Sequence, residues 1–203
     1  MYSEKFYNFK NFGVLEATIP KDFFKRLQAE SVHSPGKNSI IKSGLSGNGI
    51  PKHFSLEENW SELEQFVLNL VPAYEGEFEH TNSKRGTLKS TMPFFKLGAA
   101  WFNHQKKHEF IPIHVHDGVY SFVVWLDIPY KIEDELSAGE YASCFQFVYT
   151  STLGRPMTQT LPIGKEWVGK ILLFPSKLQH LVYPFFTSNG TRVSLSGNIM
   201  VNE

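Results

Sequence analysis

From Phe94 onward the chain is a succession of short apolar, β-branched and aromatic runs: "FFKLGAAWFN", "VYSFVVWL", "ASCFQFVYT", "KILLFP", "HLVYPFF" and "RVSLSGNIMV". Turn-forming residues punctuate them at Asp117-Gly118, Ala138-Gly139, Gly164, Pro175 and Asn189-Gly190. Apolar runs of this length, bounded by such residues, form strands rather than helices. Strands spaced this closely build an antiparallel sandwich or barrel. The aromatic share of 15%, with eighteen Phe, fits that expectation, because rings pack well on a half-buried pleated surface.

The first ninety residues differ. "IPKDFFKRLQAES" predicts a helix with Pro20 in its first turn and Phe23, Phe24 and Leu27 on one face. "SLEENWSELEQFVLNL" predicts a second, opened by a capping box from Ser55 to Glu58, with Leu63, Phe66, Val67 and Leu70 at helical spacing. Both stripes read as core packing, and "SGLSGNGIP" between them reads as a loop. The expected architecture is mainly β, with N-terminal helices packed on one sheet. With 203 residues, one domain over 1–203 is expected, helical to about residue 90 and β-rich from about 91.

Twenty basic and twenty acidic residues cancel, so no bulk field draws the chain to nucleic acid or anionic lipid. The N-terminal "MYSEKFYNFKNFG" lacks the basic-then-apolar layout of a leader, and no apolar run is long enough to span a bilayer. A single cysteine, Cys144, cannot form an internal disulfide, which points to a reducing, cytoplasmic setting.

In "HVHDGVYSFVVWL" two histidines, His114 and His116, stand two apart at the mouth of an apolar strand. Strand alternation sends both to one face, where two imidazoles can reach one ion. Core histidines occur at this spacing too, so the pair alone leaves both readings open. His180 opens a later strand, after "KILLFPSKLQ", and Arg192 and Ser194 then alternate by two in "TRVSLSGN". An inward guanidinium would call for a carboxylate gripped by two parallel hydrogen bonds, whereas an outward one would simply be solvated.

Taken in order, Trp101 and Asn103, His114 and His116, Phe174 and Pro175, His180, then Arg192, Ser194, Ser196 and Asn198 carry a resemblance. They resemble the pattern W-x-N, H-x-H, FP-x-x-x-x-H and R-x-S-x-S-x-N of the iron(II)/2-oxoglutarate-dependent dioxygenases, in a small branch related to the prolyl hydroxylases. The resemblance spans roughly residues 94–201. It implies a double-stranded β-helix (jelly roll), with two metal ligands from one sheet and one from the facing sheet. It further implies Fe(II) held by His114, His116 and His180, and 2-oxoglutarate as cosubstrate. Arg192 would pair the far carboxylate of 2-oxoglutarate, with a hydrogen bond from Ser194.

The commoner triad in such enzymes places a carboxylate two residues after the first histidine. That position here is His116, and Asp117 follows it. Alternation favours His116, while a bulge at Asp117-Gly118 would turn Asp117 inward as the alternative ligand. Asn103 and Tyr120 (with Ser121) are further candidates to contact the cosubstrate, although a strand tyrosine also packs readily in a core. "SFVVWL" departs from the branch, which has a Ser-Gly pair and tyrosines there, and so brings the bulk of Trp125 to the core or the pocket rim. "NHQKKHEFIP" reads as an exposed connection, and His33, His53 and His80 carry no partner pattern.

The expected function is a 2-oxoglutarate- and Fe(II)-dependent oxygenase that hydroxylates a peptidyl residue or small molecule. Two alternatives stand beside it. One is a cupin-like metal enzyme that does not use 2-oxoglutarate, although "HDGVYSF" lacks the Glu that cupins usually place after H-x-H. The other is a non-catalytic jelly-roll binding or assembly module whose histidines merely pack.

Overall fold

The computed structural model describes residues 12–37, 49–81 and 95–202. Nearly all of "MYSEKFYNFKNFG" and most of the "SGLSGNGIP" loop lie outside the described residues. Ten strands are described: β1 (Leu15–Thr18), β2 (Lys52–Ser55), β3 (Phe95–Gln105), β4 (Ile111–His114), β5 (Tyr120–Asp127), β6 (Phe145–Thr150), β7 (Pro156–Leu161), β8 (Lys170–Pro175), β9 (Gln179–Val182) and β10 (Arg192–Val201). The helices are α1 (Lys21–Lys37), α2 (Trp60–Phe78) and α3 (Ile132–Ala138).

The strands form two antiparallel sheets, one of order β1-β8-β5-β10-β3-β2 and one of order β4-β9-β6-β7. β5 explains the layering. It is apolar on both faces, so each face needs its own cover. Phe122, Val124 and Leu126 pack with Phe23 and Leu27 of α1 and Leu63, Val67 and Val71 of α2. Val123 and Trp125 face the other way, into a second core with Phe145, Phe147 and Phe174 between the sheets. The helices thus cover the outside of the large sheet, as the sequence predicts.

Two local expectations are corrected. The N-terminal part is not purely helical: β1 and β2 form the two edges of the large sheet. Nor does Ser55 open a capping box, because it ends β2 and its hydroxyl donates to Glu57 Oε1. The turn into α2 is held from α1 instead. The buried carboxylate of Glu30 accepts the backbone N–H groups of Glu57 (2.6 Å), Glu58 (2.9 Å) and Asn59 (3.1 Å), and the Asn59 amide at 2.8 Å. A charged acceptor shared by several orphan donors outcompetes a serine hydroxyl at a helix start.

Candidate metal centre

β4 and β9 are antiparallel neighbours, and their register sets His114 directly opposite His180. Beyond the end of β4 the alternation persists. Ile113 and Val115 are exposed, while His114 and His116 line an internal cavity. The His116 N–H donates to the Ser176 carbonyl (2.9 Å), fixing this segment against the turn between β8 and β9. Ligand-capable atoms of His114, His116 and His180 consequently lie within 4.8 Å of one another. Their ring centroids are 4.8 Å (114 to 116), 4.2 Å (114 to 180) and 5.1 Å (116 to 180) apart.

The protonation of two rings follows from their neighbours. His114 Nδ1 is 2.7 Å from the Pro112 carbonyl, and His180 Nδ1 is 2.9 Å from the Leu178 carbonyl. A carbonyl only accepts, so Nδ1 carries the proton and Nε2 keeps its lone pair. Such an outer hydrogen bond orients metal-binding imidazoles. Burial pushes all three rings toward the neutral form: His114 below its usual range, His116 to about 4 and His180 to about 3. Three neutral lone pairs converging in one place fit a divalent first-row ion such as Fe(II).

Asp117 is outside this cluster. Its side chain is 95% exposed and lies 3.4 Å from Lys177 Nζ. The turn that follows is made at Gly118, with φ at 105°, after Asp117 has already pointed to solvent. A second expectation is corrected by the sheet order. All three histidines come from β4, its extension and β9, within the four-stranded sheet, rather than from two facing sheets.

Both sheets line the cavity around these histidines, which has a volume of about 310 Å³. One wall is apolar, with Val123, Trp125, Phe145 and Phe174. The other is polar, and its order comes from register: His53 on β2 opposes Asn103 on β3, which opposes Ser194 on β10. Asn103 donates both amide hydrogens, to Ser194 Oγ (3.1 Å) and Ser196 Oγ (2.9 Å), and accepts from Trp101 Nε1 (3.0 Å). Each serine oxygen therefore accepts, leaving its own proton to donate elsewhere.

Arg192 lines the same cavity and is 3% exposed. All of its donors are engaged by neutral oxygens: Nε and Nη2 with Gln105 Oε1 (3.0 and 2.6 Å), Nη1 with Tyr130 Oη and the Ser143 carbonyl (both 2.8 Å), and Nη2 also with the Tyr183 carbonyl (2.9 Å). The five ion pairs seen among the described residues all involve other side chains. A buried guanidinium held by neutral oxygens, with no described carboxylate at ion-pair distance, attracts an anion.

Tyr120 does not reach this cavity. It packs on the helix side of the large sheet, against Tyr74 at 5.4 Å between ring centroids, and its hydroxyl donates to the buried carboxylate of Glu75. β5 presents Tyr120 and Phe122 on the same face, so the alternation that sends Val123 and Trp125 inward sends Tyr120 outward. His104, read as part of an exposed connection, belongs to β3 and meets Ser34 Oγ of α1 at 3.1 Å. The sequence reading missed His53 and Gln105 in the cavity wall. His53 arrives through β2–β3 pairing across some fifty residues, which no local pattern signals. Gln105 could have been found by extending the Trp101–Asn103 alternation one step.

Two antiparallel sheets and a histidine trio that could hold a metal ion define a jelly-roll protein with a candidate metal site. Residues 99–198, the part that carries this site, match the family described as "Putative 2OG-Fe(II) oxygenase". No curated protein matches the chain. Among solved structures it is similar to a Pseudomonas putida prolyl-4-hydroxylase, with TM-score 0.57 and 15% identity over 92% of this chain and 91% of that one. It is also similar to HygX from Streptomyces hygroscopicus with nickel, 2-oxoglutarate and hygromycin B bound (TM-score 0.58, 12% identity, 93% and 82% covered). A Trichoplax adhaerens prolyl hydroxylase in complex with a peptide fragment shares the fold as well (TM-score 0.54, 13% identity, 93% and 83% covered). At these identities the likeness establishes the fold. Among the described residues, no helix is long and apolar enough to cross a membrane.

Proposed function

We propose that this protein is a single-domain, cytoplasmic oxygenase that uses Fe(II) and 2-oxoglutarate to hydroxylate a peptidyl residue or a small molecule, releasing succinate and carbon dioxide. One observation carries the reading: three neutral imidazoles and a buried guanidinium held by neutral oxygens line one cavity. His114, His116 and His180 would hold the metal. Arg192 and the Ser194 hydroxyl would bind the far carboxylate of 2-oxoglutarate, with Asn103 fixing Ser194 and Ser196 from behind. When bound, the ion and the 2-oxoacid would supply the chemistry that splits dioxygen, one oxygen atom ending in succinate as carbon dioxide leaves and the other in the hydroxylated substrate C–H bond.

The chain's own contribution is placement and polarity. Pro112 and Leu178 keep the Nε2 lone pairs of His114 and His180 aimed inward. Val123, Trp125, Phe145 and Phe174 exclude water from one side, which strengthens every charge interaction across the cavity. Three uncharged ligands leave a divalent ion's charge undiminished, and a dianion such as 2-oxoglutarate offsets it. Since HygX and the Trichoplax enzyme carry hygromycin B and a peptide respectively, both substrate classes belong to the proposal. A second reading, a metal enzyme that acts on substrate without 2-oxoglutarate, is favoured by the all-histidine trio and makes Arg192 dispensable.

The test is anaerobic addition of Fe(II) and then 2-oxoglutarate, followed by visible absorption. The proposal expects stoichiometric iron uptake and a new charge-transfer band on adding the 2-oxoacid, with the band lost in Arg192→Ala. Iron uptake without a band would favour the second reading. No iron uptake would leave only a jelly-roll binding module.

A further inference from the structure

We infer that Gln105 acts as a built-in stand-in for a carboxylate on Arg192, and that an incoming dicarboxylate must exchange with it. The inference rests on the proposed role of Arg192 as receptor for the far carboxylate of 2-oxoglutarate. It adds a residue that sets how tightly, and how selectively, a diacid is held.

A guanidinium offers a carboxylate paired donors along its Nε/Nη2 side or across its Nη1/Nη2 end. In Arg192 the end is closed by Tyr130 Oη and the carbonyls of Ser143 and Tyr183, none of which lines the cavity. The side is closed by Gln105, whose Oε1 accepts from Nε at 3.0 Å and Nη2 at 2.6 Å, and Gln105 does line the cavity. A ligand approaching from the histidine trio therefore meets the edge that Gln105 occupies. The carboxamide oxygen receives the two parallel bonds that a carboxylate would receive.

Gln105 is also built to hold that position. Its Nε2 donates to the Glu109 carbonyl at 2.5 Å and to the Tyr183 carbonyl at 3.4 Å, tying the side chain to the turn after β3 and to the segment after β9. A neutral amide satisfies the donors along this edge of Arg192 but brings no charge to meet the guanidinium's. An arriving carboxylate supplies that charge, and so displaces the amide where a neutral or monoanionic 2-oxoacid without a second carboxylate does not. Discrimination between a diacid and a monoacid then lies in the exchange at Arg192 as well as in the length of the cavity.

The experiment measures equilibrium binding of 2-oxoglutarate, by calorimetry and by ligand-induced rise in melting temperature, to Co(II)-loaded wild type, Gln105→Met and Gln105→Glu. Methionine keeps the side chain's length and removes the acceptor; glutamate places a permanent carboxylate on the same edge. The stand-in role predicts opposite shifts: roughly three- to tenfold tighter binding in Gln105→Met and about a hundredfold weaker binding in Gln105→Glu, with Co(II) affinity unchanged in both. A glutamine that merely braces Arg192 predicts weaker binding in Gln105→Met, and that result overturns the inference. So does a Gln105→Glu protein that binds the diacid as well as wild type, which decides the matter even if Gln105→Met fails to fold. Failure of wild type itself to bind 2-oxoglutarate would instead remove the reading of Arg192 on which the inference rests.

Discussion

At the scale of single residues, the middle of the three proposed metal-binding positions is the informative one. His116 and Asp117 are adjacent, and only one can face the cavity. The structure gives that place to His116, because backbone alternation continues past β4, and leaves Asp117 in solvent beside Lys177. We therefore expect His116→Ala to weaken Co(II) or Fe(II) binding by at least about a hundredfold, since a removed ligand costs more than a removed outer partner. Asp117→Ala should leave the affinity within about twofold, as an exposed carboxylate at a screened distance contributes little. Both are measured by competition with a chelating dye. Gly118 is a separate constraint: at its φ of 105° an added Cβ would stand 2.7 Å from the Ile199 carbonyl. Gly118→Ala should therefore lower the melting temperature and loosen the segment that carries His116. The turn was legible in the sequence as Asp-Gly; which of its neighbours turned inward was legible only as a preference, because a bulge would have reversed it.

At the scale of elements, legibility followed the range over which each element is determined. β3, β5, β6, β8, β9 and β10 each carry a local apolar run and stand close to where the sequence places them. β7, "PMTQTL", is largely exposed and exists through pairing with β6, so it has no apolar signal of its own. β2 likewise depends on pairing with β3, and with it comes His53. The start of α2 is the clearest case of a distant residue overriding a local motif. Glu30 of α1 collects four donors at the turn before α2, while the serine of the apparent capping box is engaged elsewhere. Replacing Glu30 with Ala should cost about 3 kcal/mol in denaturant unfolding, the range for losing charge-assisted hydrogen bonds to buried donors. Ser55→Ala should cost under about 0.5 kcal/mol, the usual range for a surface change away from caps and core. If the two variants proved equally destabilised, the cap would have to be reassigned to Ser55.

At the scale of the whole molecule, the same burial that keeps the histidines neutral makes the fold sensitive to acid. His53, His104, His114, His116 and His180 are all held below the usual histidine range, with loss of hydration the leading cause in each. In the unfolded chain these rings take up protons near about pH 6.5. In the folded protein they resist until the pH is lower, about 4 for His116 and about 3 for His180. Between those limits the unfolded state binds more protons, so stability rises with pH and is lost as pH falls below about 6.5. The melting temperature should thus be nearly level above about pH 7 and decline steadily toward about pH 5, a window that lies above the ordinary carboxylate titrations. His104 sits at the α1–β3 contact, away from the trio, so His104→Gln should flatten part of that decline without altering metal affinity. Saturating Co(II) should move the decline to lower pH, because the ion and the proton compete for the same nitrogen lone pairs. A melting temperature that stayed constant from pH 7 to pH 5 would mean that these rings take up protons over the same range folded as unfolded, so that burial does not hold them neutral.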